Sequence, residues 1–586
     1  MTMTDARLRR HTIGEALRPT RRPRREGAAA RRLETGRGRV VLASLVFAIA
    51  FAGLGVRLID VALLSVGNAP QVAHRASTNT HDQRAVILDR NGIILATTLR
   101  TYSLYADARQ VPNAMAAATH LVRILPNLKH AKLLRKLKSN RRFIWLRRHL
   151  TPDQYQSVNS LGIPGLYVRA DKRRVYPLGR LASHVLGFTD RDNSGLAGIE
   201  KFFDERLRKS RKPIRLSLDI RLQYVLRGEM AAAIKRYRAK AGTALLLNTS
   251  NGEVLAIVSL PDFDPNDATA APAGNRFNQA TLGVYEMGST FKILNTALAL
   301  ESGTARLTDR FDARQPIRVA RFRIRDYSPA GRWLSVDEIF VKSSNIGSAK
   351  MALAFGGARQ RKFLDTLGLL HPARIEVPEI GVPLWPKNWR PINTMTISFG
   401  HGVAVTPVQF SAAVAATVNG GRLIAPTLVK RVDGEQPRGR QVVSEETSRR
   451  IRYLMRQVVL RGTGRRAAAP GYLVGGKTGS ADKSTGAPGK PRGLLSSFIG
   501  AFPMHRPRYV LLVMLDEPKG NKDTRFKATG GLVAAPTFAK IVARIAPILK
   551  LQPIEENMHD RLWAPMRMKP GVRRIASYRV NGRERR

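Results

Sequence analysis

Three short polar clusters in this chain could together perform acyl transfer. The first is Ser289-Thr290-Phe291-Lys292. Three residues along a helix bring a serine and a lysine onto one face, one turn apart. A serine hydroxyl needs a base to become a nucleophile, and a neutral lysine can serve. At a helix start, the local dipole also favours negative charge developing on the serine. Alone the pattern is weak, because Ser480 and Lys483 repeat it and a serine at a helix start is often only an N-cap. The second cluster is Ser343-Ser344-Asn345, an SxN pattern also found at Ser77–Asn79 and Ser157–Asn159, whose bland reading is a polar turn or capping segment. The third, Lys477-Thr478-Gly479-Ser480, follows the apolar lead-in YLVGG and reads as a strand. A glycine inside a strand often marks close backbone approach, here by a peptide lying alongside as an added strand. Lys477 would then supply positive charge, and Thr478 and Ser480 hydroxyls, to a substrate carboxylate. Its bland reading is an ordinary turn. What carries weight is the order: SxxK, SxN and KTG appear in succession, a trio of serine acyl-transfer enzymes.

The elements around these clusters are legible in outline. GTALLLN (242–248) and VLAIVS (254–259) flank Ser250-Asn251-Gly252 as a hairpin, and SSFIGAFP with RYVLLVMLDEP form a second strand pair near the other end. Helical stretches such as FKILNTALALESG and TPVQFSAAVAATVNGG lie between. This predicts one α+β domain whose sheet is built from its terminal segments. Further upstream, RAVILDRNGIILATTLRTYSLYAD reads as two strands around an Asp-Arg-Asn-Gly turn. Residues 115–150 read as helical and basic, with ten Lys or Arg and no acid between Leu121 and Leu150.

Composition sets the compartment and excludes several chemistries. There are no cysteines, so thiolate metal sites, disulfides and cysteine nucleophiles are out, and the scattered histidines form no metal motif. The formal charge of +56 calls for something anionic and on its own suggests nucleic acid. Against that stands VVLASLVFAIAFAGLGV (40–56), an uncharged stretch at the short end of a membrane span. Twelve arginines and four acids precede it, which suits the positive-inside rule and predicts an uncleaved anchor with the rest of the chain outside the cytoplasm. Small residues within it leave cleavage as a signal peptide open as the alternative. The expected division is a basic tail (1–39), an anchor (40–64), a pedestal (65–218), the α+β domain (219–550) and a basic C-terminal tail (551–586).

With the trio in that order, the sequence resembles the class B penicillin-binding proteins from about residue 84 to 545. Further blocks carry the likeness: RAVILDRNGIILA, RRVYPLGRLASHVLGFTDRDNSGLAGIEKFFDERL, NGEVLAIVSLPDFDPN, NQATLGVYEMGSTFK and SFGHGVAVTPVQFSAAVAATVNGGRLIAPTLV. The Tyr-Pro-x-Gly block with Gly-x-x-Gly-Ile-Glu is most similar to the division-specific branch, the elongation-specific branch being the alternative. Ser480 departs from the threonine usual there but keeps the hydroxyl. The resemblance implies a β-lactamase-like transpeptidase domain on an elongated pedestal, behind a single transmembrane helix of the bacterial inner membrane, with a periplasmic catalytic domain. It implies D,D-transpeptidation of peptidoglycan stem peptides with no cofactor, inhibition by β-lactams, and as partners a polytopic glycosyltransferase and other division proteins. It also implies roles: Ser289 as nucleophile, Lys292 as its base, Ser343 as proton relay, Asn345 holding Lys292 and the substrate amide, and the N–H groups of Ser289 and Ser480 as oxyanion hole. A β-lactamase would need a water-activating Glu that is not found, and a bifunctional synthase a glycosyltransferase domain. A D,D-carboxypeptidase differs only in the acceptor. A non-catalytic sensor or scaffold would not need the full set of side chains, and a nucleic-acid module explains neither span nor motifs.

Overall fold

The computed structural model describes residues 44–53 and 84–554, apart from 320–321, 436 and 484–492. Two compact units are present, residues 1–80 and 81–586. In the first, residues 44–53 are helical with exposed side chains. No helix among the described residues is long and apolar enough to cross a membrane, and the remainder of the expected 40–64 anchor lies outside them, as do the tail 1–39 and residues 555–586 of the C-terminal tail.

The second unit begins with the pedestal. Its long strand Ile94–Ala106 pairs antiparallel with Ile144–Leu150 and with Leu166–Val175. The expected turn is there: Asp89 accepts from the N–H groups of Asn91 and Ile93 and links Ile87–Leu88 to the long strand. One face of this sheet packs on the helix Ala114–Ile124 through Leu104, Ala106, Ile144 and Leu121. The expectation of helix over 115–150 holds only as far as Leu137. IWLRRHL is a strand instead, with Ile144, Leu146 and Leu150 buried. Its basic residues hid the alternation, and pairing with the long strand decides the conformation over local pattern.

A buried ionic knot ties the pedestal blocks together. Arg84 and Arg174 donate to the two oxygens of Glu200 at 2.5 and 2.7 Å, and the Tyr176 hydroxyl donates to it at 3.3 Å. Arg84 also reaches Asp204 at 2.7 Å. Two sequence blocks, one holding Arg84 and the other Arg174, Tyr176 and Glu200, are thus joined at one carboxylate. Nearby, Arg90 pairs with Glu253 at 3.1 Å and Ile220 N–H donates to Asp89, fastening the pedestal to the strands that follow.

The α+β domain is three-layered. Its five-stranded antiparallel sheet runs in the spatial order Gly475–Asp482, Leu494–Phe502, Tyr509–Asp516, Ala241–Asn248, Val254–Leu260. Both predicted hairpins are present, and they join at the centre as strands from opposite ends of the domain. The strands Tyr509–Asp516, Ala241–Asn248 and Val254–Leu260 are largely apolar because both faces are covered. Leu246, Phe498, Leu511 and Val513 face the helices Ile220–Tyr237 and Gly530–Ile545, while Leu245, Ile499 and Leu512 face the layer holding Lys292–Glu301 and Pro407–Val418. Gly475–Asp482 is an edge strand, so the KTG cluster has one side open to pairing.

Candidate active site

Ser289 lies in a single 3₁₀ turn, Gly288–Phe291, that runs directly into the helix Lys292–Glu301. No side chain caps this helix, so the N-cap reading of Ser289 fails. Its hydroxyl instead accepts from Lys292 Nζ at 2.8 Å. The competing Ser480–Lys483 pattern sits on a strand, where residues three apart face opposite ways. Lys483 turns to Asp516 and Glu517 at 3.0 and 2.9 Å. Of the other SxN matches, Ser157–Asn159 ends a surface helix and Ser77–Asn79 lies outside the described residues.

The Ser343-Ser344-Asn345 cluster joins two helices, Val336–Lys342 and Asn345–Phe355. The capping reading is right for Ser344, which caps the second helix by accepting from Gly347 N–H. Ser343 closes the first helix with φ at +63°, a left-handed conformation that costs a side-chain-bearing residue about 1–2 kcal/mol. That strain aims its hydroxyl at the two lysines. Lys292 Nζ donates to Ser343 Oγ at 3.2 Å, to the Ser343 carbonyl at 3.0 Å and to Asn345 Oδ1 at 2.7 Å. Lys477 Nζ donates to the same Ser343 Oγ at 2.9 Å. Ser289, Lys292, Ser343, Asn345 and Lys477 therefore form one continuous hydrogen-bonded chain.

The KTG strand closes the site from the side. Any Cβ at Gly479 would lie 2.9 Å from the Met287 carbonyl and 3.0 Å from Thr290, so glycine lets the strand lie against the Ser289 turn. The close approach expected of a ligand is thus made by the protein's own backbone. Gly400 does the same from another side, where a Cβ would fall 2.1 Å from the Gly288 carbonyl. Thr478 is nearly buried, its hydroxyl 2.8 Å from that of Thr463. Ser480 is exposed, and its Oγ accepts from Gly530 N–H at 2.9 Å, which leaves its own proton to donate.

Electrostatics distinguish the two lysines from ordinary ones. Both are fully buried. Burial, and then the neighbouring Lys477 cation, hold Lys292 well below the usual lysine range, with Asp326 opposing. Burial brings Lys477 down to about 7. Asp326 is the residue that sequence reasoning missed. It accepts from Ser344 Oγ at 2.7 Å and from the N–H groups of Asn345 and Ile346 at 2.6 and 2.9 Å, fixing the SxN junction. It sits alone among basic residues in RIRDYS, and nothing in that stretch marks it. Among the described residues no group of three or more His, Cys, Asp or Glu could hold a metal ion.

Comparison with known proteins agrees with this architecture. Residues 242–543 match the penicillin binding protein transpeptidase domain, and residues 80–221 the penicillin-binding protein dimerisation domain. The chain is 38% identical over 538 residues to the probable peptidoglycan D,D-transpeptidase FtsI of Caulobacter vibrioides, covering 90% of this chain and 91% of that protein. It is 30% identical over 509 residues to the peptidoglycan D,D-transpeptidase FtsI of Escherichia coli, covering 80% and 84% respectively. The crystal structure of a peptidoglycan synthetase from Bifidobacterium adolescentis superimposes with a TM-score of 0.64 at 20% identity, covering 81% of this chain and 96% of that one.

Proposed function

The chain belongs to the class B penicillin-binding proteins, and from that premise we propose that Ser289 is the nucleophile through which it works. It is a peptidoglycan D,D-transpeptidase of the septal type. The observation that carries the assignment is the lysine beside the serine: Lys292 is fully buried, 2.8 Å from Ser289 Oγ, and bonded to no carboxylate among the described residues.

Such a lysine gives up its proton readily because burial penalises its charge and a second cation lies nearby. Neutral Lys292 takes the Ser289 proton as the hydroxyl attacks the carbonyl of the penultimate D-Ala. Ser343, hydrogen-bonded to both lysines, passes a proton to the departing D-Ala amine. Asn345 holds Lys292 and the substrate amide. Lys477, Thr478 and Ser480 receive the terminal carboxylate, which restores charge to Lys477. The substrate peptide lies along the open edge of Gly475–Asp482, and the N–H groups of Ser289 and Ser480 stabilise the oxyanion. An amine from a second stem peptide then resolves the acyl-enzyme and forms the cross-link. A β-lactam enters the same path and stops at the acyl-enzyme.

On this reading the expected anchor at 40–64 and pedestal at 65–218 hold the catalytic domain at 219–550 on the periplasmic side of the inner membrane, and a glycosyltransferase supplies the new strands; the sequence pattern of 40–56 and the similarity to septal transpeptidases support it. The decisive experiment is labelling with a fluorescent penicillin. Ser289→Ala loses the label while retaining the parent's melting temperature; equal labelling of the two proteins overturns the assignment. Depletion in the source organism produces filaments, whereas rounded cells would reject the septal role.

A further inference from the structure

The pedestal contains a second site that the transpeptidase reaction does not use. Its sheet has one face covered by helices and the other face open. On the open face Tyr105, Phe143, Trp145 and Tyr167 form a continuous aromatic cluster, with ring centroids 4.7 Å apart for Tyr105–Phe143, 4.9 Å for Phe143–Trp145 and 5.5 Å for Tyr105–Tyr167. Phe143 is 47% and Tyr167 40% exposed. Aromatic surface of this extent left in water is costly unless something covers it.

The cluster opens into a cavity of about 420 Å³ whose wall includes Trp145, Arg148, Arg169, Arg191 and Arg208. Strand alternation produces the junction, since Tyr167 and Arg169 point to the same face of Leu166–Val175. The cations here differ in what they already hold. Arg84, at the floor, is neutralised by Glu200 and Asp204. Arg148 is steered by Asp171 and Asp192 at 3.1 and 3.3 Å, with its guanidinium 5.5 Å from the Trp145 ring centre. The guanidiniums of Arg169 and Arg191 have no ion-pair or hydrogen-bond partner among the described residues, and both residues are exposed at the cavity mouth. A guanidinium is a planar fork suited to a carboxylate, and aromatic faces beside it suit the apolar faces of sugar rings.

We propose that this cavity and its aromatic rim bind a glycan strand carrying free carboxylates, namely uncross-linked peptidoglycan. Charge complementarity at Arg169 and Arg191 selects the carboxylates, and the four rings take the sugars. The site would hold a strand on the pedestal while its stem peptides are offered elsewhere, and it gives part of the chain's excess positive charge a partner.

The test uses full-length protein already acylated with penicillin, so that the catalytic site is closed. Labelled glycan strands with uncross-linked stems are titrated in, beside the same strands with amidated carboxylates, phosphatidylglycerol vesicles and a single-stranded oligonucleotide. Arg169→Glu combined with Arg191→Glu should weaken strand binding by about tenfold or more, the loss of two charge-assisted contacts. Amidation of the strands should do the same to the parent, and Phe143→Ala with Tyr167→Ala should weaken both forms of strand. Penicillin labelling, measured in parallel, stays at the parental level in every variant, which separates this proposal from the assignment of Ser289. Unchanged strand affinity in the arginine variant overturns the proposal, and so does retention of only the vesicles or the oligonucleotide.

Discussion

Two places in this molecule bury a pair of cations side by side. In the pedestal, Arg84 and Arg174 flank Glu200, and each has at most 2% of its side chain exposed. In the catalytic domain, Lys292 and Lys477 flank the Ser343 hydroxyl and are equally buried. The pedestal supplies a carboxylate at the centre; the catalytic domain supplies only a neutral oxygen. Its nearest acid, Asp326, is committed to Ser344 and to two backbone N–H groups. Arginine cannot discard its proton, so it must be paired where it is buried. Lysine can, and an unpaired buried lysine is one whose charge is negotiable. The first arrangement fixes structure, and the second stores a base.

The contrast can be tested by substitution. Lys292→Met should slow acylation by penicillin by about 10²–10⁴-fold, the usual worth of a general base. It should not lower the melting temperature, because an apolar side chain replaces a poorly solvated amine. A large loss of stability would show that Lys292 is a structural cation after all. Glu200→Gln should do the reverse. Arg174 then loses its carboxylate and Arg84 keeps only Asp204, at a cost of about 3–5 kcal/mol in a denaturant melt. Below its lowered melting point the variant should acylate at close to the parental rate; failure to acylate would join the two regions functionally. Asp326→Asn should lie between them, with about 1–3 kcal/mol of lost stability and slower acylation, as the junction holding Ser343 and Asn345 loosens. A change in stability alone would remove Asp326 from the site.

A further contrast concerns pH. Lys477 titrates near 7 when folded, against an ordinary lysine value of 10.5. Between those values the unfolded chain holds a proton that the folded one lacks. Stability therefore rises with pH from about 7 to 10.5, and this contribution is flat below 7. Lys477→Met should flatten that rise in melts from pH 7 to 10. An unchanged slope would mean that Lys477 keeps its charge in the fold. Acylation has its own limb: it should fail as pH drops through the depressed value of Lys292, which must be neutral to act.

How much of this was legible in the sequence depends on the range of the interaction. The hairpin 242–259, the strand pair near 494–516 and the order of the three clusters could be read locally, and the strands formed as expected. The strand expected at Lys477–Ser480 also formed and runs on to Asp482, which is what rejects Ser480–Lys483 as a helical pair. Asp326 was invisible because its partners lie 18 to 20 positions away and it belongs to no motif. The strand at 144–150 was misread because its basic residues reach into solvent past a buried apolar edge. Glu200 stood in a recognised block, but that it gathers Arg84 and Arg174 is a fact of topology.

The order of strands in the catalytic sheet has a kinetic consequence. Ala241–Asn248 must wait for Tyr509–Asp516 before its inner edge is paired. Contacts so distant along a chain form slowly. A chain emerging from its N-terminus presents Ser289 long before it presents Lys477, and the two cannot meet until the last strands dock. The nucleophile is therefore unarmed throughout synthesis, and the same unpaired edge is where a stalled or truncated chain would aggregate.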